Sequence, residues 1–336
     1  MPSQQLLIPH ALVDDAEAAP AARAALSTAF KNGLLLPGLQ SHLDRVTPRT
    51  RRLDAQGVVG ADEDVLARAQ GLDPETPPWA ALRARALGLP NASAMAWAFL
   101  TPAHWVLPQG VGQTQVSLSD PGQLRLNEAE ARALCAAMQP YFSEDGLTLH
   151  IDTPAQWLVC GAPLQGLRSP APERVLALGG DVAPWLPSTS PGAPLLRRLQ
   201  NEMQMLLYTH AANDARESRG LPSVNSFWLH GCGALGAAPE PQNDWTVLEF
   251  LREPALRGYT QGDWRAWADA WRELDARLQA TTQAQTTPPG LVLCGLHTIV
   301  TLEHAERPSR GLWRRLRRRL QPNRQNAALA AFLCPA

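Results

Sequence analysis

Lysine is almost absent from this chain of 336 residues: Lys31 is its only lysine, and the other basic residues are arginines. Lysine-based catalysis therefore has one candidate, and no motif surrounds it. Cysteine is equally sparse. Cys135, Cys160, Cys232, Cys294 and Cys334 are odd in number, widely scattered and never spaced C-x-x-C, which excludes a disulfide framework and a structural zinc site and points to reduced thiols in the cytoplasm. The start, MPSQQLLIPHALVDD, has no positively charged leader, and no segment offers about 18 uninterrupted apolar residues, so neither export nor a membrane span is expected. The signatures G-x-x-x-x-G-K-[ST], G-x-S-x-G and H-E-x-x-H are also missing, and with them the phosphate-loop, serine-hydrolase and zincin readings.

What is present suffices for a globular protein. Hydrophobic residues make up 45% of the chain and thirty prolines interrupt its elements, enough apolar material for one large domain or two smaller ones. The formal net charge of −1 hides an asymmetry. Arg307, Arg310, Arg314, Arg315, Arg317, Arg318, Arg319 and Arg324 all follow the last acidic residue, Glu306, so residues 1–306 carry about −9.

Periodicity then divides the chain. Residues 1–112 read as a mixed, mainly helical region: one strand in the apolar run Leu6 to Val13, then helices such as Ala16 to Phe30 and Ala61 to Gln70. In 113–233 the order is clearer. Gln115 to Ser119 reads as a strand, and Asn127-Glu-Ala-Glu130 has the form of a capping box that opens a helix. Leu147 to Ile151 and Gln156 to Cys160 read as a hairpin, Pro194 to Thr209 as an amphipathic helix and Val224 to His230 as a strand. The expected fold is α+β, with a ferredoxin-like β-α-β-β-α-β central region and helical terminal segments.

Residues 234–306 add a helix in which Trp264, Trp267, Trp271, Leu274 and Leu278 recur at three- and four-residue intervals, a core stripe, and one or two strands within Leu291 to Leu302. Residues 307–336 form a basic tail. Leu312, Trp313, Leu316 and Leu320 share one helical face there, which suits packing on the acidic body or contact with a nucleic acid or an anionic membrane surface.

The polar residues concentrate in His210 to Gly233, HAANDARESRGLPSVNSFWLHGCG, spaced H-x2-N-x2-R-x3-G-x4-N-x2-W-x2-G-x-G. His210, Asn213 and Arg216 offer donors for a carboxylate or phosphate, and Arg216 can hold one through two parallel bonds. Gly231 and Gly233 permit close approach of a ligand or a neighbouring chain. Asn225 and Trp228 complete the candidate set, although on a straight strand they face opposite ways, so that sharing a pocket requires a bend or bulge. The same residues also suit a structural turn, with His210 and Asn213 capping, Arg216 paired to a carboxylate and Trp228 in the core. Gly231-Cys-Gly233-Ala-Leu-Gly236 matches G-x-G-x-x-G, but Ala237-Ala-Pro-Glu-Pro241 interrupts the helix that a dinucleotide loop requires. His230 and Cys232 are too few for a zinc site.

The motif, with the β-α-β-β pattern before it, resembles the inserted domain of the archaeal-type cofactor-independent phosphoglycerate mutases. The whole chain, including RRLQNEMQMLLYTH and VNSFWLHGCG, is similar to the bacterial RpfE-type regulatory proteins. The mutase resemblance implies an insert within a metal core, with two metal ions held by Asp and His clusters and a Ser nucleophile. Its early D-G signature and later D-H pair have no counterpart here. Asp14-Asp15 follows the first apolar run without a Gly, no Asp-His dipeptide occurs, and His297 and His304 alone follow the motif. The resemblance therefore implies a regulatory or binding module for a small phosphorylated or carboxylate ligand or a protein partner. No cofactor is expected; a divalent metal enters only if the chain is a mutase-like phosphotransferase.

Overall fold

A computed structural model describes residues 5–44, 46, 48–107, 115–236, 245–284, 289–302 and 322–335. The first apolar run forms β1 (Gln5–Ile8), followed by α1 (Ala19–Lys31), α2 (Pro37–Leu43), β2 (Arg49–Arg52) and α3 (Ala61–Ala69). Next come α4 (Trp79–Ala86), β3 (Ala96–Ala103), β4 (Trp105–Val106), β5 (Ser117–Leu118), α5 (Glu128–Glu144), β6 (Thr148–Thr153) and β7 (Gln156–Cys160). The chain continues through α6 (Pro172–Ala177), α7 (Ala193–Tyr208), α8 (Ala211–Glu217), β8 (Ser226–Ala234), β9 (Trp245–Val247), α9 (Arg252–Gln261), α10 (Trp264–Ala284), β10 (Gly290–Cys294), β11 (Thr298–Leu302) and α11 (Pro322–Leu333). Among the described residues no helix is long and apolar enough to cross a membrane.

Two compact units result, one interrupting the other: Met1–Leu66 with Gln242–Ala336, and Ala67–Pro241. The divisions thus fall at 66/67 and 241/242, not at the expected 112/113, 233/234 and 306/307.

The discontinuous unit holds a five-stranded sheet of order β2-β11-β10-β1-β9. Strands β9, β1 and β10 run parallel, β11 runs antiparallel to β10, and β2 runs antiparallel to β11. Strict alternation sorts its side chains. Leu6, Ile8, Leu291, Leu293, Val300 and Leu302 share one core with α1, α10 and α11, while Leu7, Val292, Cys294 and Ile299 meet Ala61 and Val65 of α3 on the other face. The tryptophan stripe of α10 lies in the first of these cores, with Trp264, Trp267 and Trp271 packed edge to face. Leu329, Ala330 and Leu333 of α11 join it, so the last part of the expected tail belongs to this core; the arginine-rich face at 312–320 lies outside the described residues. Buried Asp275 on α10 accepts from the Gly38 and Leu39 amides at 2.9 and 2.7 Å, capping α2 from a distance of 237 residues in sequence.

The continuous unit has the expected ferredoxin-like order. Its antiparallel sheet reads β6-β7-β3-β8. Asn127 and Glu130 close the capping box of α5. Helices α5 and α7 cover Ala96, Ala98, Leu100, Trp157, Val159, Phe227 and Leu229 on one face, and Ala80, Ala81 and Ala84 of α4 pack against Trp97, Leu158 and Cys160 on the other. One element differs from expectation: the first strand of the sheet is Ala96–Ala103, and the expected strand at 115–119 is only Ser117–Leu118, paired with β4. The real strand is buried on both sides, so its sequence, AWAFLTPA, shows no alternation.

Candidate functional site

The segment 210–233 was the strongest signal in the sequence, and each of its singled-out side chains touches protein. His210 is the N-cap of α8, with Nδ1 accepting from the Ala212 amide at 3.2 Å. Asn213, buried, donates from Nδ2 to the Leu207 and Val224 carbonyls at 2.8 Å each and accepts from the Val224 amide at 2.9 Å. It clamps the end of α7 to the entry of β8.

Arg216 has no exposed surface. Its Nε donates to the Pro222 carbonyl at 2.9 Å, one terminal nitrogen donates to Glu130 Oε2 at 3.0 Å and the other to the Leu124 carbonyl. Glu130 also pairs with Arg219. Burial works against ionisation of Glu130, but the Asn127 amide and the two guanidiniums outweigh it and hold the carboxyl below its usual range. The guanidinium fork thus ties α8 and the loop after it to α5.

At the entry to β8 and along it the contacts are of the same kind. Asn225 accepts from the Trp105 amide at 2.7 Å and donates to the Trp105 carbonyl at 2.9 Å. Trp228 donates from Nε1 to the Pro170 carbonyl at 2.8 Å and packs edge-on against Trp105. The register slips opposite Trp97 and Phe99, where Gly231 takes φ +60°; this bulge lies beyond Trp228. A Cβ on Gly231 would stand 2.9 Å from Phe99 Cδ2, and one on Gly233 2.9 Å from Pro78 Cβ. Gly231→Ala is expected to destabilise the protein by about 1–2 kcal/mol, from the left-handed backbone and the Phe99 contact together. Equal denaturation midpoints for variant and wild type would contradict this.

The structure therefore brings His210, Asn213 and Arg216 into one turn lock, and places Asn225 just before β8 and Trp228, Gly231 and Gly233 along it.

A second polar group, not apparent from sequence, lies at the carboxyl ends of β1 and β9, where open parallel sheets place their ligands. His10 follows β1 with φ +55°, an uncommon conformation for a residue with a Cβ. Its Nδ1 is buried without a hydrogen-bond partner, and its carbonyl accepts from the Trp267 indole at 2.9 Å. Arg252 donates to Asp62 at 2.8 Å and pairs with Glu249 at 2.6 Å. Burial lowers the His10 pKa to about 4, with Asp62 opposing the shift. Asp62 is kept below the usual carboxyl range because Arg252 outweighs its burial. These residues stand 52 and 190 positions apart, and no local pattern connects them.

The acidic side chains of the same neighbourhood have protein partners. Asp14, at the mouth of β1, accepts from the amides of Leu296, His297 and Thr298, with distances of 2.8, 2.9 and 2.6 Å. Its carboxylate closes the β10–β11 turn. Asp62 is tied to Arg252 and Asp64 to Arg51. Among the described residues no group of three or more His, Cys, Asp or Glu side chains is placed to hold a metal ion; His304 lies outside them. The residues described do not fit a two-metal centre.

Comparison with solved structures finds likeness over most of the chain at low identity. The cofactor-independent phosphoglycerate mutase from Thermoplasma acidophilum DSM 1728 is 12% identical, with a TM-score of 0.36, across 92% of this chain and 91% of that one. The PH0037 protein from Pyrococcus horikoshii is 10% identical, with a TM-score of 0.44, across 90% and 87%. No family model and no curated protein matches the chain.

Proposed function

We propose that this chain is a regulatory, ligand-binding protein of the RpfE type, a pseudoenzyme that keeps the inserted-unit plan of a phosphoglycerate mutase without its phosphotransfer. It acts in the cytoplasm and takes a small phosphorylated or carboxylate ligand. The observation that carries this reading is Asp14. The mutase resemblance implies a metal ligand just after the first strand, and here the Asp14 carboxylate accepts from three successive backbone amides. Hydrogen bonds from three amides fix the orientation of the side chain, so Asp14 acts as a structural part of the turn. The pairing of Asp62 and Asp64 with arginines supports the same conclusion.

The test is direct. Purified protein supplied with manganese or magnesium and 3-phosphoglycerate is expected to form no 2-phosphoglycerate, while calorimetry detects saturable binding of a phosphorylated or dicarboxylic acid. Turnover abolished by chelation would overturn the proposal.

A further inference from the structure

A groove of about 420 Å³ runs between α1 and α10. Its floor is Ala25, Ala29 and Ala268, the last two buried, and their small side chains leave the gap unfilled. Arg265, Asp269 and Arg272 line one wall from α10. Three arginines of the same unit have acidic partners: Arg51 with Asp64, Arg252 with Asp62, Arg257 with Glu253. Arg265 and Arg272 have neither an ion pair nor a hydrogen bond among the described residues, although Asp269 lies between them in sequence.

We propose that this groove binds a small molecule carrying an acidic group at each end. This rests on the ligand-binding reading above and supplies its site, which the occupied side chain of Arg216 does not. The size is that of a small-molecule pocket, too small for a folded partner to enter. Arg265 and Arg272 are seven residues apart, about 10.5 Å of helix rise, so both face the groove two turns from each other. Each guanidinium presents a fork suited to carboxylate or phosphate. Asp269, midway, repels an anion centred in the groove and accepts from a hydroxyl, which favours a ligand whose charge is divided between its ends. The alanine floor meets its carbon chain. Thr28 has its hydroxyl proton on the Ala24 carbonyl and keeps acceptor capacity toward the groove.

The experiment uses the full chain and 3-phosphonopropionate, with inorganic phosphate as the single-group comparator, by titration calorimetry at low salt. One site is expected, with phosphate at least tenfold weaker. Arg265→Ala and Arg272→Ala should each weaken binding at least tenfold, and Ala25→Leu should abolish it by filling the groove with both arginines in place. Arg277→Ala, an exposed arginine on the same helix outside the groove, should leave it unchanged within twofold. Unaltered thermal midpoints exclude loss through misfolding. If the probe binds but the three groove variants do not weaken it, the groove assignment fails and the ligand-binding reading stands. If neither probe nor any other tested dianion binds at millimolar concentration, both fail.

Discussion

Arg216→Ala is expected to destabilise the continuous unit by about 3–5 kcal/mol, the usual cost of removing one partner from a buried, hydrogen-bonded ion pair. The magnitude follows from what is left behind. The Leu124 and Pro222 carbonyls lose their donor inside the protein, and Glu130 keeps only the half-exposed Arg219 and the Asn127 amide. A lysine at 216 restores the charge but not the fork, because one ammonium cannot reach three acceptors fixed by a planar guanidinium; Arg216→Lys should recover less than half of the loss. Urea denaturation followed by circular dichroism measures the total, and hydrogen exchange localises it to residues 67–241. Combining Arg216→Ala with Glu130→Ala should cost less than the sum of the two single changes, since both break one network. A loss below about 1 kcal/mol, or a lysine variant as stable as wild type, would show that the fork is not what holds α8 to α5.

This also explains how far the sequence could be read. Elements whose cause is local were visible: the Asn127 capping box, the β6–β7 hairpin, the apolar stripe of α7 and the tryptophans of α10 each lie within a few residues of the partner that makes them. Elements defined from elsewhere were not. Strand β3 is buried on both faces and so loses the alternation that marks a strand, and β2, RTRR, is an exposed edge with no apolar residue to mark it.

The motif at 210–233 stands out in the sequence, and its polar side chains bond the backbone and side chains around α7, α8 and β8. What sequence lacks is the partner. Glu130 lies 86 residues from Arg216, and Asp14 meets amides 282 to 284 residues away. Spacing identifies a specialised side chain and leaves open whether protein or ligand satisfies it.

Acid should weaken both units well before ordinary carboxylates protonate. His10 in the discontinuous unit and His230 in the continuous one each have burial lowering the pKa from 6.5 to about 4. The unfolded chain therefore binds more protons than the folded one between those values, and stability rises with pH through that window. The contribution of each histidine is fully present above pH 6.5 and is lost as pH falls toward 4; at 1.36 kcal/mol per pKa unit it is about 3 kcal/mol. Asp62 and Glu130, whose pKa values are lowered, lose their contributions only at lower pH still, as each protonates in the folded state. Asp275 has the opposite sign: burial, partly offset by the Leu39 and Gly38 amides, raises its pKa, so its ionisation costs stability as pH rises. Between pH 4 and 6.5 the two histidines therefore act against Asp275. His10→Asn tolerates the left-handed backbone at that position, and His230→Gln keeps a polar group near Thr101, whose hydroxyl lies 3.3 Å from His230 Nε2. Both changes remove the titrating ring. Urea unfolding at pH 7.5 and pH 5 should show each variant losing less stability between the two conditions than wild type, with the double variant flattest. Identical losses in all four proteins would place the acid sensitivity outside these two imidazoles.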